Sequence, residues 1–142
     1  MTILQAIQSL LSDDATCVSN LAQWDFGDGL VPAIFVRDPA PEKCGQPLVT
    51  LREDGGANGP GVVINSEWQW SGTIMVWGNK DESDATPNVL AWAIARALDR
   101  ASVTVTGFET SVLACNAPSG LTDPDGFPGY RLTVAAIFRS EV

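Results

Sequence analysis

Most hydrolytic and zinc-dependent sites are built around histidine, and this sequence of 142 residues contains none. Without imidazole there is no Ser-His or Cys-His pair to activate a nucleophile and no histidine ligand for zinc. Carboxylates, Lys, Tyr and Cys remain. Close carboxylates occur as Asp13 and Asp14 in "SDDA", Asp25 and Asp28 in "DFGDG", Asp81, Glu82 and Asp84 in "KDESDA", and Asp123 and Asp125 in "DPDG". A glycosidase needs two such groups facing each other across a sugar cleft at a fixed separation. These sit instead among turn formers and ahead of helical runs, where a carboxylate serves backbone N–H groups.

Three strings echo known sites and fail on their partners. Asp25-Phe26-Gly27 is the magnesium-binding triplet of protein kinases, but the short chain has neither the His-containing catalytic loop nor the Gly-rich strand-loop that accompany it. Counting from Asp123 as the start of a calcium loop, position twelve is Val134, which is no bidentate carboxylate. The glycine-rich "REDGGANGPG" lacks the following Lys-Ser/Thr of a phosphate loop. Cys17, Cys44 and Cys115 are too widely spaced for a C-x-x-C clip and too few for a disulfide framework, so reduced, mostly buried thiols are expected. The expectation is a protein that is not an enzyme, with no cofactor, no metal and no catalytic residue.

What has to be positioned, then, is surface. A 15.1 kDa chain fits one domain, residues 1–142, and folding should remove about 68–70% of its exposed surface from water. Apolar residues make up 45% and charged residues 18%, which is globular composition. Eight basic residues face seventeen acidic ones, giving a net charge of −9, which argues against gripping a phosphate backbone. No apolar run reaches the ~18 residues of a membrane span, and "MTILQAIQSLLSDD" lacks the basic start and cleavage site of a leader, so a cytosolic protein without a membrane partner is expected.

Thr2 caps a helix on which Ile3, Leu4, Ile7, Leu10 and Leu11 recur at helical spacing. "LVPAIFV" reads as a short strand, and "PLVTLRED" and "EWQWSGTIMVW" as the arms of a hairpin with a glycine-rich tip at 54 to 61. After "GN", the acidic 81 to 84 stretch and Pro87 open a second helix whose buried stripe is Leu90, Ile94, Ala97 and Leu98. "SVTVTGFETSV" and "YRLTVAAIF" read as strands separated by a loop at 115 to 129. The predicted fold is α+β in the order α-β-β-β-α-β-β, a mixed or antiparallel sheet with two helices packed on one face.

The opposite face of that sheet is expected to be polar: Thr50, Arg52, Gln69, Ser71, Thr73, Arg131, Thr133 and Arg139 alternate onto it, including three of the eight basic residues. Trp77 falls on the same side, and Trp92 lies off the helical stripe. Both are candidates for a protein interface, where Trp is favoured.

The leading helix, the "VPAIFV" strand, the long hairpin, "MVWGN" running through a polar loop into "NVLAWAIARALD", and the closing "YRLTVAAIF" together resemble the tail terminator proteins of long-tailed bacteriophages, the lambda-type and tail-completion family, over nearly the whole chain. The resemblance implies a virion protein that forms a hexameric ring on the head-proximal end of the tail tube. Such a ring stops tube growth and meets the head-side connector, with DNA only passing through its hole. Its implied partners are copies of itself, the tail tube protein and a neck protein, assembled in the host cytoplasm. The tip at 54 to 61 and the loop at 115 to 129 depart from the family, so only surfaces are carried over. The hairpin tip and polar sheet face, with Arg52, Asp54, Asn58, Gln69, Thr73, Trp77, Trp92, Arg131 and Arg139, and the acidic Asp81, Glu82 and Asp84, are expected at the tube, a neighbour or the lumen. The alternatives are another neck component, a small enzyme using carboxylates or cysteines, or a host adaptor that binds a peptide at an exposed strand.

Overall fold

The computed structural model describes residues 2–25, 29–36, 45–55, 67–79 and 85–140. Along the chain these form α1 (Ile3–Ser12), α2 (Ala15–Ser19), β1 (Gln23–Asp25), β2 (Leu30–Pro32), β3 (Ile34–Val36), β4 (Leu48–Gly55), β5 (Glu67–Trp77), α3 (Ala85–Leu98), β6 (Ser102–Val103), β7 (Ser111–Val112), β8 (Ala114–Cys115), β9 (Ser119–Thr122) and β10 (Pro128–Arg139).

Helix α1 starts on a reciprocal cap: the Gln5 N–H donates to Thr2 Oγ1 at 3.1 Å and the Thr2 N–H to Gln5 Oε1 at 2.9 Å. It buries Ile3, Leu4, Ile7 and Leu11. Asp14, one of the paired carboxylates, caps α2 by accepting from the Cys17 N–H at 2.9 Å and so sets Cys17 into the core.

The main sheet runs β3-β4-β5-β10-β8, with β9 also on β10. Strands β3 and β4 are parallel and the other pairs antiparallel, so the sheet is mixed. Its spine is the pairing of β5 with β10 from Trp77↔Gly129 to Glu67↔Arg139. Because side chains alternate along a strand, Val49, Leu51, Trp70, Ile74, Val76, Leu132, Val134, Ala136 and Phe138 share one face, and all are buried against α1 and α3. Trp68, Phe108 and Phe138 close one end, with ring centroids 5.2 to 6.3 Å apart.

Helix α3 enters from the sheet through a close approach. A Cβ on Gly78 would lie 2.7 Å from Pro87 Cγ, so glycine is what lets the first turn of α3 dock on the end of β5. Ala91, Ala93 and Ala95 are all buried because α3 packs against the sheet and against both other helices.

The expected major elements are present, with short additions and three departures. The 102–112 segment is not one strand: β6 and β7 pair with each other as a small hairpin. The 115–129 segment is not all loop, since β8 and β9 line the edge of β10. Long β10 needs partners for its outer N–H and C=O groups, and that demand overrides the local proline and glycine content. "LVPAIFV" breaks at Ala33, whose N–H donates to Ala22 O and whose C=O accepts from the Val49 N–H.

Candidate functional site

The face of the sheet away from the helices is less polar than alternation predicts. At one end, Phe35 and Leu48 bury themselves with Ala33, and Ala22, Trp24 and Trp77 pack on them. Trp24 meets Phe35 edge-on with centroids 6.4 Å apart. The β1–β2 hairpin therefore covers this end of the face. Trp77 is half-buried there and lies across Gly129, where a Cβ would come within 2.8 Å of its ring. Thr50 and Thr73, expected on an open polar face, are only 4% and 6% exposed. Thr50 is flanked by Phe35 and Met75 on the neighbouring strands.

The middle of the face is held by a charged network. Arg52 Nε donates to Asp54 Oδ1 at 2.9 Å, and Thr73 Oγ1 donates to Asp54 Oδ2. Arg52 and Thr73 are direct cross-strand neighbours, so the sheet register brings these three candidates together. Thr133, next to Thr73 on β10, is held by Asn116: its N–H donates to Asn116 Oδ1 at 2.7 Å and its Oγ1 accepts from Asn116 Nδ2 at 2.9 Å. Arg139 pairs with Glu67 at 3.6 Å at the far end, Gln69 is exposed, and Arg131 is exposed without an ion pair among the described residues. Small residues Gly55, Ser71 and Ala135 leave a depression of about 410 Å³ beside Ile137, which is 51% exposed. Asn58, Asp81, Glu82 and Asp84 lie outside the described residues.

A second surface lies on α3. Val89, Trp92 and Arg96 recur at helical spacing on its outer side, with Val89 51% and Trp92 43% exposed. Sequence reasoning found Trp92 from its place off the stripe and missed Val89, although Val89 sits one turn before it. Exposed Ile137 and Val112 were also missed, because alternation assigns a face but not what covers it.

Among the described residues no three His, Cys, Asp or Glu side chains gather to hold a metal. Burial, then the negative charge and hydrogen bonding of Asp14, push the Cys17 thiol up to about 12, and burial with Asp99 nearby pushes Cys115 up to about 11. Both stay protonated at neutral pH and are poor nucleophiles. "DPDG" is a hairpin turn: the Gly126 N–H donates to Asp123 O, the Phe127 N–H donates to Asp123 Oδ1, and Gly126 takes φ +88°. No described helix is long and apolar enough to cross a membrane.

No protein-family model matches the chain, and no curated protein does. A solved structure titled "Virion of native gene transfer agent (GTA) particle" contains a chain that matches 99% of this one over 95% of its own length, with a TM-score of 0.63 at 20% identity. The chain shares its fold with a virion component. At that identity the likeness is one of backbone architecture, and it leaves almost none of either chain outside the shared fold.

Proposed function

We propose that this protein is a structural virion component of the tail-terminator type. Copies close into a ring on the head-proximal end of a phage tail tube, end its growth and present the surface that the head-side connector meets. The observation that carries this is the fold shared, end to end, with a chain of a gene transfer agent virion. It supports a structural virion role independently of the sequence resemblance, which supplies the finer assignment to the tail terminus.

The surfaces suit assembly. An exposed tryptophan beside an exposed valine on α3, and an exposed isoleucine next to a depression on the sheet, are apolar groups of the kind that interfaces cover. The protein works in the virion after assembly in the host cytoplasm, with the tube protein, a neck protein and its own copies as partners. A net charge of −9 suits a lumen that repels DNA and lets it slide, with Asp81, Glu82 and Asp84 the proposed lumen or neighbour charges.

Mass photometry of the purified protein, alone and with its tube protein, tests the assignment. A closed multimer that binds tube ends is the expected result. A monomer that ignores tube ends overturns it, and a ring that binds only portal-side protein makes the chain a head-closure or connector protein instead.

A further inference from the structure

The most distinctive unused surface is a groove of about 450 Å³ beside the C-terminal half of α3, where Trp92, Arg96, Asp99 and Arg100 face Cys115 and Asn116. Its charge is unusual for this protein. Of the five described arginines, Arg52 and Arg139 sit in ion pairs, while Arg96, Arg100 and Arg131 have none among the described residues, and two of those three line this groove. The groove's carboxylate, Asp99, is committed to the Cys115 N–H at 3.2 Å.

Arg100 adds a separate observation. It follows the end of α3 with φ +67°, where glycine is the usual residue because a Cβ there crowds the backbone. The backbone is pinned by the Arg100 N–H on Leu113 O at 2.8 Å and the Ala101 N–H on Leu98 O at 3.0 Å. This arginine, in a position that usually takes glycine, places a second cation on the same groove, next to an exposed indole.

The chain carries the complement to this groove. Asp123–Gly126 is a tight turn at the tip of the β9–β10 hairpin, closed by backbone hydrogen bonds and so already ordered before any contact. Asp123 spends its side chain on the Phe127 N–H, whereas Asp125 is exposed with no hydrogen bond or ion pair among the described residues. Turn and groove cannot meet within one copy. The groove lies beside β8, which pairs with Val134, six residues along the strand from Pro128, or about 20 Å at ~3.3 Å per residue.

We propose that the α3 groove of one copy receives the Asp123–Gly126 turn of the next, with Asp125 between Arg96 and Arg100 and the turn against Trp92. Two different patches meeting head to tail make a heterologous contact, the kind that closes a ring when the rotation allows. This deepens the ring assignment and rests on it.

The test is sedimentation velocity on the full chain, with and without its tube protein, for Arg96→Glu, Asp125→Arg and the two combined. Each single reversal is expected to weaken self-association by about tenfold or more, and the combination to recover most of it. Arg100→Gly separates folding from contact: its Tm should stay at or above the starting value, because the left-handed strain is relieved, while association weakens. If the unaltered chain assembles but the single reversals change nothing, or the combination fails to recover, the groove and turn are not partners and the ring assignment stands. Weakening by Arg96→Glu without any effect of Asp125→Arg means that another acidic segment fills the groove, and overturns the pairing. An unaltered chain that never self-associates overturns both.

Discussion

Removing Asp54 should expose how the outer sheet face is held. Thr73 is 6% exposed and its hydroxyl donates to Asp54, which also accepts from Arg52 at 2.9 Å. Asp54→Ala strips a hydrogen bond to a charged acceptor, about 1.5–3 kcal/mol, and leaves the Thr73 hydroxyl buried without its acceptor. The Arg52 pair adds little, about 0–1 kcal/mol, because the Arg52 side chain is 59% exposed and the attraction is screened. The expected loss is about 2 kcal/mol. Thr73→Val keeps the shape and removes the donor, so it should cost about 1 kcal/mol. With both changes no donor is stranded, and the double variant should lose about 1–1.5 kcal/mol less than the sum of the singles. Urea denaturation at constant m reads all four corners of the cycle. Costs that add to within about 0.3 kcal/mol would refute the idea that Asp54 and Thr73 act as a unit.

Other consequences can be checked alongside. Gly78→Ala places a methyl 2.7 Å from Pro87 Cγ, so α3 must shift, and urea denaturation should show a loss of about 1–3 kcal/mol. Thr2→Ala removes one half of the reciprocal cap of α1 and should cost about 1 kcal/mol by the same assay. Cys17 and Cys115 titrate near 12 and near 11 in the folded chain, above the ~8.5 of an unfolded thiol, so their contribution to stability is complete below that value and is lost as pH rises through the folded pKa values. Thermal melts should therefore fall between about pH 9 and 12, less steeply in Cys17→Ala, and both thiols should resist alkylation at pH 8 until urea is added.

Much of the fold is legible in the sequence where local pattern and tertiary need agree. Alternation through "EWQWSGTIMVW" marks Glu67–Trp77, because one face of β5 is buried from Trp70 to Val76 and its inward positions there must avoid polar side chains. Thr2 announces α1 as its cap, and the structure adds the reciprocal bond to Gln5, three residues on. Strands β8 and β9 are not legible, since their extended form comes from the edge of β10 and not from Pro118, Gly120 or their neighbours. The burial of Thr50 and Thr73 is hidden for the same reason: it depends on Phe35, Met75 and Asp54, which register alone brings alongside. Trp92 stands out because it breaks a helical stripe. Arg100 does not, because its distinction is a backbone angle that any sequence can conceal.

The central claim is that copies of this chain stop a growing cylinder. Electron microscopy of tube protein polymerising with and without it tests that claim most directly. The account predicts tubes that cease to lengthen, each carrying a ring of this protein on one end. Tubes that grow equally long in its presence, with bare ends, would contradict it.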